Sequence, residues 1–213
     1  MSRATDVLLV LVILLNFFML GSSRIRSVIR VASGQGLLLG VLLILAHGHL
    51  EWRGLLLGVV AMALKGGIIP AMLQRALRDV GIRREVEPLL GFGASLLLVG
   101  ATTALAVLFA STLPLAPQHA DSLLVPASLA TFMSGFLLLV TRRKAITQVV
   151  GYLTLENGVF IFGLTLVEAM PLLVEVGVLL DVLVGIFVMG IIIDRIQREF
   201  SSIDTETLSA LRD

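Results

Sequence analysis

Long apolar runs, broken by short clusters of arginine, glycine and polar residues, set the layout of this chain. Runs of about 20 residues are long enough for an α-helix to cross a hydrocarbon layer about 30 Å thick. They occur at seven places: residues 4–21, 25–46, 52–77, 88–112, 123–141, 145–167 and 171–195. The pattern predicts an all-α integral membrane protein of about seven transmembrane helices and leaves no room for a soluble domain. The first run is short and follows Arg3, so a cleaved signal peptide is the alternative reading there. Arg24, Arg26 and Arg30 directly after it favour a retained helix.

Charge orients the layout. One set of connections holds Arg24, Arg26, Arg30, Arg75, Arg78, Arg83, Arg84, Arg142, Arg143, Lys144, Arg195, Arg198 and Arg212, and the other side holds only Arg3 and Arg53. Cytoplasmic connections are enriched in lysine and arginine. The expectation is an outside N-terminus, a cytoplasmic C-terminus and an odd number of spans in the cell inner membrane. The proline-bearing connection 113–121 is the most natural boundary. It separates a four-helix part, 1–112, from a three-helix part, 123–200, with 201–213 as a polar cytoplasmic tail that reads as a short amphipathic helix.

Composition agrees and narrows the chemistry. Of 213 residues 57% are hydrophobic and 15% charged, too apolar for a soluble domain. There is no cysteine, which removes disulfides, thiolate metal sites and cysteine-ligated iron–sulfur clusters. His47, His49 and His119 all fall in short polar connections, so no cofactor or metal site is expected. The bilayer is the expected surrounding, and no nucleic-acid partner is expected.

Against this background the ionisable groups inside the apolar runs stand out, because a charge in hydrocarbon costs at least a few kcal/mol. Glu156 and Asn157 lie side by side in the sixth run, Asp181 in the seventh and Lys65 in the third. At about 1.5 Å per residue, Glu156 sits roughly 18 Å and Asp181 roughly 15 Å from the expected outer ends of their helices, both near mid-depth. Gly177, Asp181 and Gly185 share a helix face that can take a close partner helix or a thin file of water. Glu175, roughly 6 Å deep, can reach the interface. Two readings stand beside each other. The acids can neutralise cations such as Lys65 and lock the bundle, or they can relay protons, since a desolvated carboxyl loads and releases a proton when a nearby charge moves.

Lys65 is followed by Gly66, Gly67 and Pro70. Proline at 70 cannot donate to the carbonyl of Gly66, so the helix is expected to kink or open between Lys65 and Pro70 and to admit water. Gly36/Gly40 and Gly54/Gly58 repeat the small-xxx-small spacing of close helix crossings, within the chain or with another subunit.

The stretch Leu153-Thr-Leu-Glu156-Asn157-Gly158-Val-Phe, followed by Glu175-Val-Gly-Val-Leu-Leu-Asp181-Val-Leu-Val-Gly185-Ile-Phe-Val-Met-Gly190-Ile, resembles hydrogenase-4 component E of formate-hydrogenlyase-type complexes. The resemblance extends over the whole chain. Residues 123–195 are also similar to the three-helix subunit K of respiratory complex I and to the small C-type component of multisubunit sodium/proton antiporters. In those smaller proteins the second and third helices each carry a buried glutamate on the proton path. Glu156 matches the first, and Asp181, with Glu175 as competitor, matches the second. The four N-terminal helices, with Lys65, have no counterpart there. The resemblance implies a noncatalytic membrane subunit of a complex that couples a redox reaction to proton or sodium movement, with antiporter-like subunits as partners. The alternative is a structural scaffold subunit of an antiporter-like assembly with no ion path of its own. A stand-alone transporter is disfavoured because no inverted repeat is visible.

Overall fold

A backbone inside lipid must satisfy its own polar groups, and a continuous helix does so within one segment. The apolar runs do become helices. The computed structural model describes residues 3–46, 52–79, 89–115 and 122–166, together with 170, 176, 177, 183 and 190. The helices are α1 (Arg3–Gly21), α2 (Ile25–Ala46), α3 (Trp52–Ala61), a π-helical segment (Met62–Ile68), α4 (Ile69–Asp79), α5 (Phe92–Thr112), α6 (Leu124–Thr141) and α7 (Ala145–Gly163), which ends in a single 3-10 turn, Leu164–Leu166. Among the described residues six helices, counting Gly54–Arg78 as one, are long and apolar enough to cross a membrane. The chain is an all-helical, multi-pass membrane protein. Most of the seventh expected span, including Glu175, Asp181 and Gly185, lies outside the described residues, as do the three histidines and the tail.

Five of the six expected spans agree with the helices to within two residues at each end. The exception is α5, which starts at Phe92 rather than at 88, because Gly91 ahead of it is extended (φ −56°, ψ 153°).

Helices in lipid gain little from the hydrophobic effect on associating and depend on close packing and interhelical hydrogen bonds. Two glycine crossings supply the packing. In the first, α2 lies against α3 and the π segment. A Cβ on Gly40 would fall 2.8 Å from the carbonyl oxygen of Gly58, and one on Gly36 2.7 Å from that of Lys65. The small-residue spacing therefore serves packing within the chain. The second crossing joins α6 to α7. A Cβ on Gly135 would meet the oxygen of Gly151 at 2.7 Å, and one on Gly158 would meet that of Ser128 at 2.8 Å.

The α6–α7 hairpin turns through Arg142-Arg143-Lys144, with Arg142 and Lys144 both extended. Arg142 belongs to a basic connection by sequence, yet it is buried. It is 1% exposed, donates from Nη2 to the carbonyl of Leu20 at the end of α1 (2.6 Å), and stacks its guanidinium over Phe92 (5.1 Å).

Apolar packing falls into two clusters. One gathers Met19, Leu20, Ile29, Leu73, Leu138 and Val150 with their neighbours, and the other Leu9, Val12, Leu39, Leu57, Ala127 and Ile161 with theirs. Along every one of α1, α2, α6, α7 and the α3–α4 rod, a gap separates the residues of one cluster from those of the other. The candidate site occupies that gap.

Candidate functional site: a polar layer across the bundle

Every one of the five rods contributes polar residues to the gap, among them Asn16 from α1, Gln35 from α2, Lys65 from the π segment, Thr131 from α6, and Glu156 with Asn157 from α7. All are buried, with Asn16, Gln35 and Thr131 at 0% exposure, Asn157 at 3%, Glu156 at 6% and Lys65 at 7%. A buried polar group without a partner costs about 1–3 kcal/mol, and most of these residues relieve that cost by bonding to one another in a row. Lys65 Nζ donates to Asn157 Oδ1 (3.4 Å), and Asn157 Nδ2 donates to Gln35 Oε1 (3.2 Å). Gln35 Nε2 donates to Asn16 Oδ1 (2.7 Å) and to the backbone carbonyl of Val12 (3.2 Å). Asn16 Nδ2 closes the row on Thr131 Oγ1 (3.0 Å). Lys65 also lies over the ring of Phe160, 5.3 Å from its centroid, where the ring's electron-rich face favours a cation.

The local geometry around Lys65 follows from Pro70, but not as a break. The rod runs unbroken from Trp52 to Asp79, which corrects the expectation of an interrupted helix. Between Met62 and Ile68 it widens to π-helix, with the N–H of Ile69 bonding five residues back to the carbonyl of Leu64. π turns inside α-helices relax a local mismatch without ending the helix. Pro70 has no N–H to offer Gly66, and the hydroxyl of Ser33 on α2 donates to the Gly66 carbonyl instead. Gly66 itself has no side chain in the way of Leu37, whose atoms would lie 2.8 Å and closer to an added Cβ. A cavity of about 10 Å³ bordered by Lys65, Pro70, Asn157, Ala32 and Leu153 is at the lower limit for holding one water.

Of the residues singled out in the sequence, the structure brings together Lys65, Asn157, Gly66 and Pro70, with Glu156 buried at the same level. Gly67 stands apart, since among the described residues nothing lies within 4 Å of an added Cβ there. Asn16, Gln35, Thr131 and Ser33 escape a reading of the sequence. The available signal is a single amide in each of the first two apolar runs, inside the run and not at its ends.

Chemically the row has two kinds of member. Asn16, Gln35 and Asn157 donate and accept in fixed directions and carry no titratable proton near neutral pH, so they hold helices in register. Glu156 and Lys65 are the ionisable groups of the layer.

No family model matches the chain, and no solved structure does. Over 193 residues, 89% of this chain and 87% of the other, it is 32% identical to the protein of Mycobacterium tuberculosis described as uncharacterized protein Rv0085. Over 100 residues it is also 32% identical to hydrogenase-4 component E of Escherichia coli and of Shigella flexneri, a match that covers 47% of this chain and 45% of component E. The chain belongs to the family of the Mycobacterium tuberculosis protein Rv0085 and is loosely related, over about half its length, to hydrogenase-4 component E.

Proposed function

We propose that this chain is a noncatalytic membrane subunit of a hydrogenase-like complex that couples a redox reaction to proton movement. Its own contribution is a mid-membrane layer in which Glu156 holds a mobile proton and Lys65 is the charge that controls it. The observation that carries the reading is the placement of Lys65, Asn157 and Glu156 at one level between two apolar clusters. The partial similarity to hydrogenase-4 component E supports the class of complex. In this reading seven spans place the N-terminus outside and the C-terminus in the cytoplasm. Asp181, with Glu175 as the competing site, is the second proton carrier on the last helix, and Gly177 and Gly185 give that helix a close face. Asn157 orients Lys65, and the Gly66, Gly67 and Pro70 stretch lets the π turn form. The partners are antiporter-like membrane subunits, and the site is the cell inner membrane.

The amide row also favours a second reading. Hydrogen bonds that tie the rods together suit a scaffold that fills space between redox and antiporter-like subunits and moves no ion.

Conservative substitutions separate the two. In inverted membrane vesicles carrying the intact complex, Glu156→Gln is expected to stop most proton uptake while native gels show normal assembly. Asp181→Asn is expected to do the same, and the double variant to be little worse than either, because two carriers on one path act as a unit. Normal proton uptake in both single variants, with normal assembly, leaves the scaffold reading standing. Proton uptake lost in Glu175→Gln and kept in Asp181→Asn moves the second carrier to Glu175.

A further inference from the structure

Where α1 ends and α2 begins, an open groove of about 580 Å³ is cut into the side of the bundle. That lies in the range of ligand pockets, roughly 300–1,000 Å³. Its lining is divided. Phe17, Phe18 and Leu96 are its apolar members, and Ser22, Ser23, Ser27 and Arg24 bring hydroxyls and a guanidinium. The close approach of α5 to the end of α1 shapes it, since a Cβ on Gly21 would sit 3.1 Å from the Leu96 side chain.

Depth decides what such a lining can hold. α1 has 19 residues, about 28 Å at about 1.5 Å per residue, the thickness of the hydrocarbon core. The groove at its end therefore lies at the boundary between headgroups and acyl chains. Arg24 is exposed there, with Arg26 and Arg30 exposed on the following turns of α2, so the field at the groove is positive. A free soluble anion would meet the arginine and hydroxyls but gain nothing from Phe17 and Leu96. A phospholipid with net negative charge matches both sides, its phosphate on Arg24 and the serines and its acyl chain along the aromatic and leucine wall. We infer that the groove formed by Phe17, Ser22, Ser23, Arg24, Ser27 and Leu96 binds an anionic phospholipid at the membrane surface. The site is separate from the polar layer and does not depend on the proton reading.

The test is native mass spectrometry of the purified full-length chain in detergent, offered equal amounts of phosphatidylglycerol and phosphatidylcholine. Wild type is expected to carry phosphatidylglycerol in preference, by about fivefold for a basic residue at the membrane surface. The Arg24→Gln/Ser27→Leu double variant should bind the two lipids nearly equally. Arg24→Gln alone, a change in the turn that leaves both helices untouched, should also lose the preference and guards against a folding defect in the double variant. Arg26→Gln, outside the groove but close to it, should lower the preference less than the double variant does. Equal binding by wild type, or equal loss in Arg26→Gln, overturns the assignment. Displacement of the lipid by inorganic phosphate overturns it in favour of a free-anion site. A photocrosslinker placed at Phe17 in native membranes should capture lipid, and capture of a protein segment instead would overturn the assignment in favour of a protein–protein interface.

Discussion

Lys65 Nζ and Asn157 Oδ1 meet at 3.4 Å although 92 residues separate them in the chain. Asn157 uses both ends of its amide, accepting from Lys65 and donating to Gln35. No apolar residue can replace it without taking a bond from each of these two buried groups. Asn157→Leu is expected to lower stability by about 1–3 kcal/mol. Asn157→Asp keeps an acceptor for Lys65 and should cost less. Denaturant titration in detergent checks the order, and a leucine variant as stable as wild type would contradict the row.

The α6–α7 crossing gives a sharper test, because its obstacles are backbone atoms that no rotamer change can clear. An added Cβ at Gly158 falls 2.7 Å from the Cα of Phe132. Gly158→Ala is therefore expected to destabilise by about 1–3 kcal/mol, as over-packing does. Gly163→Ala, with nothing among the described residues within 4 Å, should be neutral or stabilising by up to about 1 kcal/mol, the helix propensity gained over glycine. The same titration of the two variants reads both signs.

How much of this is foreseeable depends on which atoms carry the information. The rods are legible because a bilayer demands about 20 apolar residues per crossing, and the bounds of Ile25–Ala46 follow from the sequence to the residue. Glu156, Asn157 and Lys65 are legible because their burial is expensive. Asn16 and Gln35 are not, since one amide in an apolar helix looks tolerable until its partner on another helix is known, and Thr131 is 115 residues from Asn16. The opposed glycines, Gly135 against Gly151, likewise pair across two helices, and neither run by itself shows which partner it meets. Pro70 is rightly a missing donor and wrongly a break, because Ser33, which serves the Gly66 carbonyl, sits on a different helix.

That substitution of donors predicts a coupled pair. Ser33→Ala should cost about 1 kcal/mol in the wild-type background, the usual net worth of a hydrogen bond. In Pro70→Ala the restored N–H can serve Gly66, and Ser33→Ala should then cost little. A double-mutant cycle in detergent measures the coupling, and strict additivity would show that Ser33 does not stand in for the proline.

Orientation is open to direct labelling, because the native chain has no cysteine. With thirteen lysines and arginines assigned to one side and two to the other, a cysteine at Ser202 should resist an impermeant thiol reagent in intact cells and react in inverted vesicles. Reaction in intact cells would reverse the assigned orientation.

Arg142 bears on how the molecule comes to be built. The carbonyl at the end of α1 that it caps, Leu20, leaves the ribosome 122 residues earlier, and Asn16 and Gln35 wait comparably long for Thr131 and Asn157. The first four crossings thus reach the bilayer with these tertiary hydrogen bonds unmade, and only the emergence of the α6–α7 hairpin closes them. A chain stopped in the 113–121 connection would hold four inserted helices with the glycine crossing of α2 available, and with the bonds from Leu20, Asn16 and Gln35 to the hairpin still open.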